Sequence, residues 1–174
     1  MTSVQVTLRE LNTADRDGFV SVCGPLFEHS PWVAERTWSR RPFASLSALH
    51  RELAAAVESA APEEKIGLIS AHPDLVGRMA GKAQPGELSK REQAAAGLDS
   101  LTDEEIALFR TYNGRYRDAF GFPFVICARE NRKEAILRAF PERLAHSREQ
   151  EVATALGEVA KIAWLRLRDA VTEE

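Results

Sequence analysis

Apolar residues along this chain recur mostly at three- and four-residue spacings, the period of helices that bury one face. Leu8 with Leu11, then Phe19 with Val22, mark short helices that Gly24-Pro25 interrupts. Ser30 before Pro31 reads as an N-cap with proline at the first helical position, opening a helix through Val33 to about Arg40. After Pro42-Phe43, Ser45 or Ser47 opens a helix through Leu49, Leu53 and Val57. Pro62-Glu63-Glu64 starts another that buries Ile66, Leu68 and Ile69. It ends near His72, because Pro73 drives the residue before it out of the α region. Residues Met79 to Leu88, with Gly81, Pro85 and Gly86 among polar neighbours, read as a mobile loop. Ser89 opens a helix closing at Gly97, and Thr102-Asp103-Glu104-Glu105 forms a capping box before a long helix through Ile106, Phe109, Tyr112 and Tyr116. Gly121 to Cys127 is the one strand-like run, short, apolar and bounded by Gly and Pro. Helices over about Lys133–Phe140 and about Arg148–Val171 close the chain. The pattern predicts an all-α fold, a single-domain helical bundle over residues 1–174 with one short buried extended segment.

Composition strengthens the helical reading. The chain holds 26 alanines in 174 residues, and few stretches dense in Val, Ile and Thr. A net charge of −3 argues against a general affinity for nucleic acid. Two cysteines, Cys23 and Cys127, are too few for a disulfide framework or a four-thiolate zinc site. No apolar run reaches the ~18 residues of a membrane span, and the first residues lack the basic-then-apolar order of a signal peptide. A cytoplasmic protein is the expectation. Trp32, Trp38 and Trp164 read as core residues rather than a ligand cage.

Three positions could carry chemistry. His72 sits at a helix end fixed by Pro73, where it either projects into a cleft as a proton carrier or lies exposed to solvent. Ser89-x-x-Glu92 has the form of a capping box, yet a helix N-terminus also presents N–H groups to anions, so Ser89, Glu92 and Gln93 could face a ligand from one helical turn. Arg166 is the most informative. At about 100° per residue it falls within the stripe formed by Val152, Val159, Ala163 and Ala170 and flanked by Ala155 and Leu156, while Arg168 falls opposite. A guanidinium on an apolar face must be ion-paired internally or bind an anion, and the spacing leaves both open. The four histidines have no metal-ligand spacing with one another or with the cysteines. The chain has no Gly-rich phosphate loop and no Gly-x-Ser-x-Gly elbow.

Taken in order, these segments resemble the 2-oxo-4-hydroxy-4-carboxy-5-ureidoimidazoline (OHCU) decarboxylase family. The resemblance rests on Phe27-Glu28-His29-Ser30-Pro31-Trp32-Val33 with Arg41-Pro42-Phe43, on Ala71-His72-Pro73-Asp74-Leu75, and on Ser89-x-x-Glu92-Gln93 running to Ala96-Gly97-Leu98. It continues through Phe120-Gly121-Phe122-Pro123-Phe124 and, more weakly, Lys161-Ile162-Ala163 with Arg166-Leu167, so that it spans about residues 8 to 170. It implies an all-helical, commonly homodimeric, cofactor-free and metal-free lyase that converts OHCU to (S)-allantoin and CO2 in urate breakdown. By the same resemblance His72 and Glu92 are catalytic. Pro73, Ser89, Gln93 and Arg166 meet the substrate, and backbone amides around Phe122, Phe124, Val125 and Ile126 hold the ring's polar edge.

The implied chemistry suits these residue types. The substrate ring carries a C=N bond beside the carboxylated carbon, so electrons released with CO2 have a sink within the substrate. What remains for the protein is proton transfer by His72, orientation by Glu92, anion binding by the Arg166 fork, and a defined face for protonation. Two other readings compete. A non-catalytic helical module for binding a ligand or partner would scatter His72, Glu92 and Arg166. A DNA-binding regulator would need a basic exposed helix, and the acids Glu151, Glu158 and Asp169 on the last helix argue against one.

Overall fold

The computed structural model of the chain describes residues 5–76 and 86–174. Among them are nine α-helices, with a few short 3-10 turns between some of them: α1 (Leu8–Thr13), α2 (Arg16–Cys23), α3 (Trp32–Thr37), α4 (Leu46–Glu58), α5 (Pro62–Ser70), α6 (Glu87–Ala95), α7 (Asp103–Phe120), α8 (Lys133–Leu144) and α9 (Arg148–Ala170). The predicted all-α class is observed. Strands are confined to β1 (Val6–Thr7) and β2 (Val171–Thr172), which pair in parallel with Val6 opposite Val171. This corrects the end of the last predicted helix. Val171 leaves it to pair with β1, and two-residue strands leave no period in a sequence for pattern reading to detect.

Polar side chains fix most helix starts. Ser45 caps α4, its hydroxyl accepting from the Ala48 N–H at 3.0 Å. Thr102 and Glu105 form the predicted capping box of α7. Two other expected caps are corrected. The Ser30 hydroxyl donates back to the Glu28 carbonyl at 2.9 Å, and α3 starts after Pro31 without a side-chain cap. Helix α6 starts at Glu87 with Gly86 as its cap, so Ser89 lies inside the first turn rather than ahead of it. Glu87 and Leu88 therefore belong to a helix and not to the predicted loop. Of the rest of that loop, Met79 to Pro85 lie outside the described residues. The close of α6 is as expected: Gly97, at φ 83°, turns the chain while its N–H reaches the Ala94 carbonyl and the Leu98 N–H reaches Gln93.

The backbone divides into two compact units, Met1–Leu68 with Ala160–Glu174, and Ile69–Val159. In the first, Phe19, Val33, Leu49, Leu53 and Leu68 are fully buried, and Phe19 stacks on Phe43. The three tryptophans are half-buried at its margin rather than in the core. Trp32 and Trp38 lie under the guanidinium groups of Arg36 and Arg41, and Trp164 lies against His50. The second unit is built on an aromatic cluster in which Tyr116 meets Phe120, Phe122 and Phe124, and Phe140 stacks on both Tyr112 and Phe124. The run 122–127 crosses this cluster extended and buried, as predicted, but it pairs with no strand among the described residues.

Candidate active site

His72 stands just past α5, in the turn that Pro73 enforces, and its N–H still bonds to the Ile69 carbonyl at 3.1 Å. Its side chain is buried, which overturns the exposed alternative. The turn it begins is tied to two helices. From α6, the Gln93 Oε1 accepts from the Val76 N–H at 3.2 Å. From α7, the Asn113 amide donates to the Leu75 carbonyl at 2.8 Å, and the Arg117 Nε lies 3.0 and 3.1 Å from the two Asp74 oxygens.

Helix α6 carries Ser89, Glu92 and Gln93 within five residues, Ser89 buried and the other two half-buried. It packs against the 3-10 turn Ala128–Glu130 that ends the extended run. The same neighbourhood is felt electrostatically. The buried Cys127 thiol is pushed up first by burial and then by surrounding carboxylates, Glu92 among them. The turn of His72 and Pro73, the α6 trio and the extended run thus belong to one unit and join through α6.

In the extended run the Phe122 and Phe124 rings are spent on the aromatic core. What this segment can offer a ligand is its backbone. Among the described residues, none accepts from the N–H groups of Phe124, Val125 or Ile126, whereas Cys127 N–H reaches the Glu158 carboxylate at 3.3 Å. Extended backbone inside a helical protein leaves donors outside any ladder. On the other side of the run, the Val125 carbonyl accepts from the Arg143 guanidinium at 2.5 Å. Arg143 is buried between the Phe124 ring and the Tyr116 hydroxyl and bonds through Nε to Glu151 at 2.8 Å. Glu151, wholly buried, also accepts from Tyr116 and lies 2.8 Å from His146. Burial and this carboxylate together push the Tyr116 hydroxyl well above its ordinary range.

Arg166 belongs to the other unit. It is buried on α9, as the helical arithmetic predicts, and Arg168 is exposed. Its Nη2 donates to Glu28 at 3.1 Å and its Nη1 to the Pro25 carbonyl at 3.3 Å. The buried charge is met by an equally buried carboxylate, held two residues before Ser30 in a turn where His29 takes a left-handed φ of 47°.

Sequence reading missed Asn113, Arg117, Arg143 and Glu151. The signal for some of them was present. Asn113 and Arg117 share a helical face with Phe109 and Phe120, and Glu151 lies about 60° from Arg166 on the helical wheel. The reasoning that singled out Arg166 applies to each. Among the described residues, no cluster of three His, Cys, Asp or Glu could hold a metal ion, and no helix is long and apolar enough to cross a membrane.

Residues 12–168 match the family model described as OHCU decarboxylase. A relative from Haloferax volcanii, described as 2-oxo-4-hydroxy-4-carboxy-5-ureidoimidazoline decarboxylase, is 42% identical over 170 residues, covering 98% of this chain and 99% of its own. One from Halalkalicoccus jeotgali with the same description is 42% identical over 165 residues, covering 95% and 92%. A solved structure of (S)-allantoin synthase superposes with a TM-score of 0.76 at 32% identity, over 96% of this chain and 54% of that one.

Proposed function

The chain belongs to the OHCU decarboxylase family, and on that footing we propose that it is a carboxy-lyase of urate breakdown, releasing CO2 from OHCU to leave (S)-allantoin. The observation that carries the site assignment is the joining of the His72 turn to the Glu92 helix through the Gln93–Val76 bond. In the step, the bond from the ring carbon to the carboxylate breaks and its electron pair moves into the ring toward the neighbouring C=N, whose nitrogen takes up a proton. The ring hydroxyl then becomes a carbonyl as its proton leaves, and the carbon beside it is protonated on one face. The imidazole of His72 is the side-chain type suited to carrying these protons near neutral pH. Glu92 orients the hydroxyl or ureido group, with Ser89, Gln93 and Pro73 shaping the same wall. The amides of Phe124, Val125 and Ile126, and of Phe122 ahead of them, face the ring's polar edge. Arg166, whose Nη2 donates to Glu28, is assigned to the substrate carboxylate on the family resemblance, its planar donor fork being suited to such a group.

No step here needs a metal or an organic cofactor, because the substrate holds its own electron sink. A homodimer, which the family resemblance supports, and a cytoplasmic location, expected from the sequence, belong to the same proposal. The deciding experiment adds purified protein to freshly generated OHCU and follows the circular dichroism of (S)-allantoin. The expected result is a signal far faster than spontaneous decay that His72→Asn reduces by on the order of 10²–10⁴. Equal signals with and without protein would overturn the function, and an active His72→Asn enzyme would overturn the role of His72.

A further inference from the structure

We propose that Asn113 and Arg117, one helical turn apart on α7, are positioning residues that aim His72. Three successive residues of its turn are held from outside: Asp74 through its carboxylate by Arg117, Leu75 through its carbonyl by Asn113, and Val76 through its N–H by Gln93. With His72 N–H tied to Ile69 and Pro73 restricted by its own ring, little freedom is left in the backbone that carries the imidazole.

Two unfavourable features mark the same place. Val76 has a left-handed φ of 60°, a conformation that β-branched residues avoid and that persists only where the surroundings impose it. The Asn113 Oδ1 is buried and has no hydrogen-bond partner among the described residues, so the residue sits there for its donor alone. A turn that served only to lead the chain out of α5 would need neither. Helix α7 is rigid at this level, capped by Thr102 and Glu105 at its start and packed through Phe109, Tyr116 and Phe120 into the aromatic core. It is a fixed reference from which a proton-transfer group can be set.

The inference rests on the reading of His72 as the proton carrier, and the test separates the two. The chain has four histidines, so the ring resonances of the full-length protein can be assigned by single His→Asn substitutions. Arg117→Gln and Asn113→Ala are then compared with wild type in kcat, KM and the ring spectrum. Expected are a loss in kcat on the order of 10–100-fold, as for small misplacement of a reacting group, and a KM within about threefold. The His72 resonance should move or broaden while those of His29, His50 and His146 stay. Arg117→Lys, which keeps a charge for Asp74, should recover part of the kcat and of the spectrum, and it carries the test where Arg117→Gln does not fold. A kcat within about twofold of wild type, an unmoved His72 resonance, or a displacement shared by all four histidines would overturn the positioning role. Undiminished allantoin formation by His72→Asn would instead sink the reading of His72, whatever the spectra of the α7 variants.

Discussion

Glu151 is wholly buried and has three partners. It accepts from Tyr116, binds Arg143 and reaches His146. Truncating one member of a buried ion pair costs about 3–5 kcal/mol, mostly because the other charge stays behind. Glu151→Ala is therefore expected to lower the unfolding free energy in urea by that amount, far more than Glu158→Ala on the half-exposed face of the same helix. Glu92 poses the opposite case. With α6 capped by Gly86, its carboxylate is not the reciprocal partner of a Ser89 cap. Glu92→Gln keeps the shape, so the melting temperature should stay within about 4 °C. Allantoin formation should fall steeply, since a charge-assisted hydrogen bond becomes a neutral one of roughly half the strength. Retained activity would remove Glu92 from the chemistry. Residue identity was legible in the sequence where the face of a helix decides burial, as for Arg166. Its partner Glu28, 138 positions away, was not, because no local pattern encodes which distant carboxylate a guanidinium meets.

The helices themselves were largely legible, since their signals are local. Ser45, Thr102 with Glu105, and Gly97 act where the sequence placed them. The failures have a common origin. At Ser30 and Ser89 a good capping residue lies near a helix start, but the backbone on either side decides otherwise: the left-handed turn at His29 in one case, an earlier start at Gly86 in the other. Helix α7 supplies a test of opposite signs. Gly121 ends it at φ 81°, with open space around the position of a Cβ, so Gly121→Ala meets backbone strain alone and should cost about 1–2 kcal/mol. Gly114, exposed in the interior of the same helix and equally clear of neighbours, gains from the same change. Gly114→Ala should raise stability by roughly 0.5–1 kcal/mol. Thermal melts of the two variants measure both effects, and a shift of the same sign in each would contradict the assigned conformations.

For the molecule as a whole, the two thiols report on the two units separately, Cys23 on one and Cys127 on the other. Burial pushes the Cys23 thiol up to about 12. Unfolded, a cysteine ionises near ~8.5. Above that pH the unfolded chain releases a proton that the folded chain keeps, so stability is fully present below pH ~8.5 and declines toward 12, by up to about 1.4 kcal/mol per pH unit for this group. A melting temperature that falls on the alkaline side in wild type, and falls less in Cys23→Ala, is the expected outcome. The division into units has a further consequence, which concerns synthesis. The unit Ile69–Val159 is continuous along the chain, and all its partners emerge from the ribosome in one stretch. The other unit is not. Gln5 waits for Asp169 across 164 positions, Glu28 for Arg166 across 138, the Leu46 N–H for Glu173 across 127, and His50 for Ala160 across 110. During translation at about 5–20 residues per second, these residues are made well before the partners they bond to. Until the carboxy-terminal end of α9 and β2 are released, Glu28 has no Arg166 and β1 no β2. The segment from Gln5 to Leu68 is thus the stretch that a chaperone or protease meets in its incomplete form.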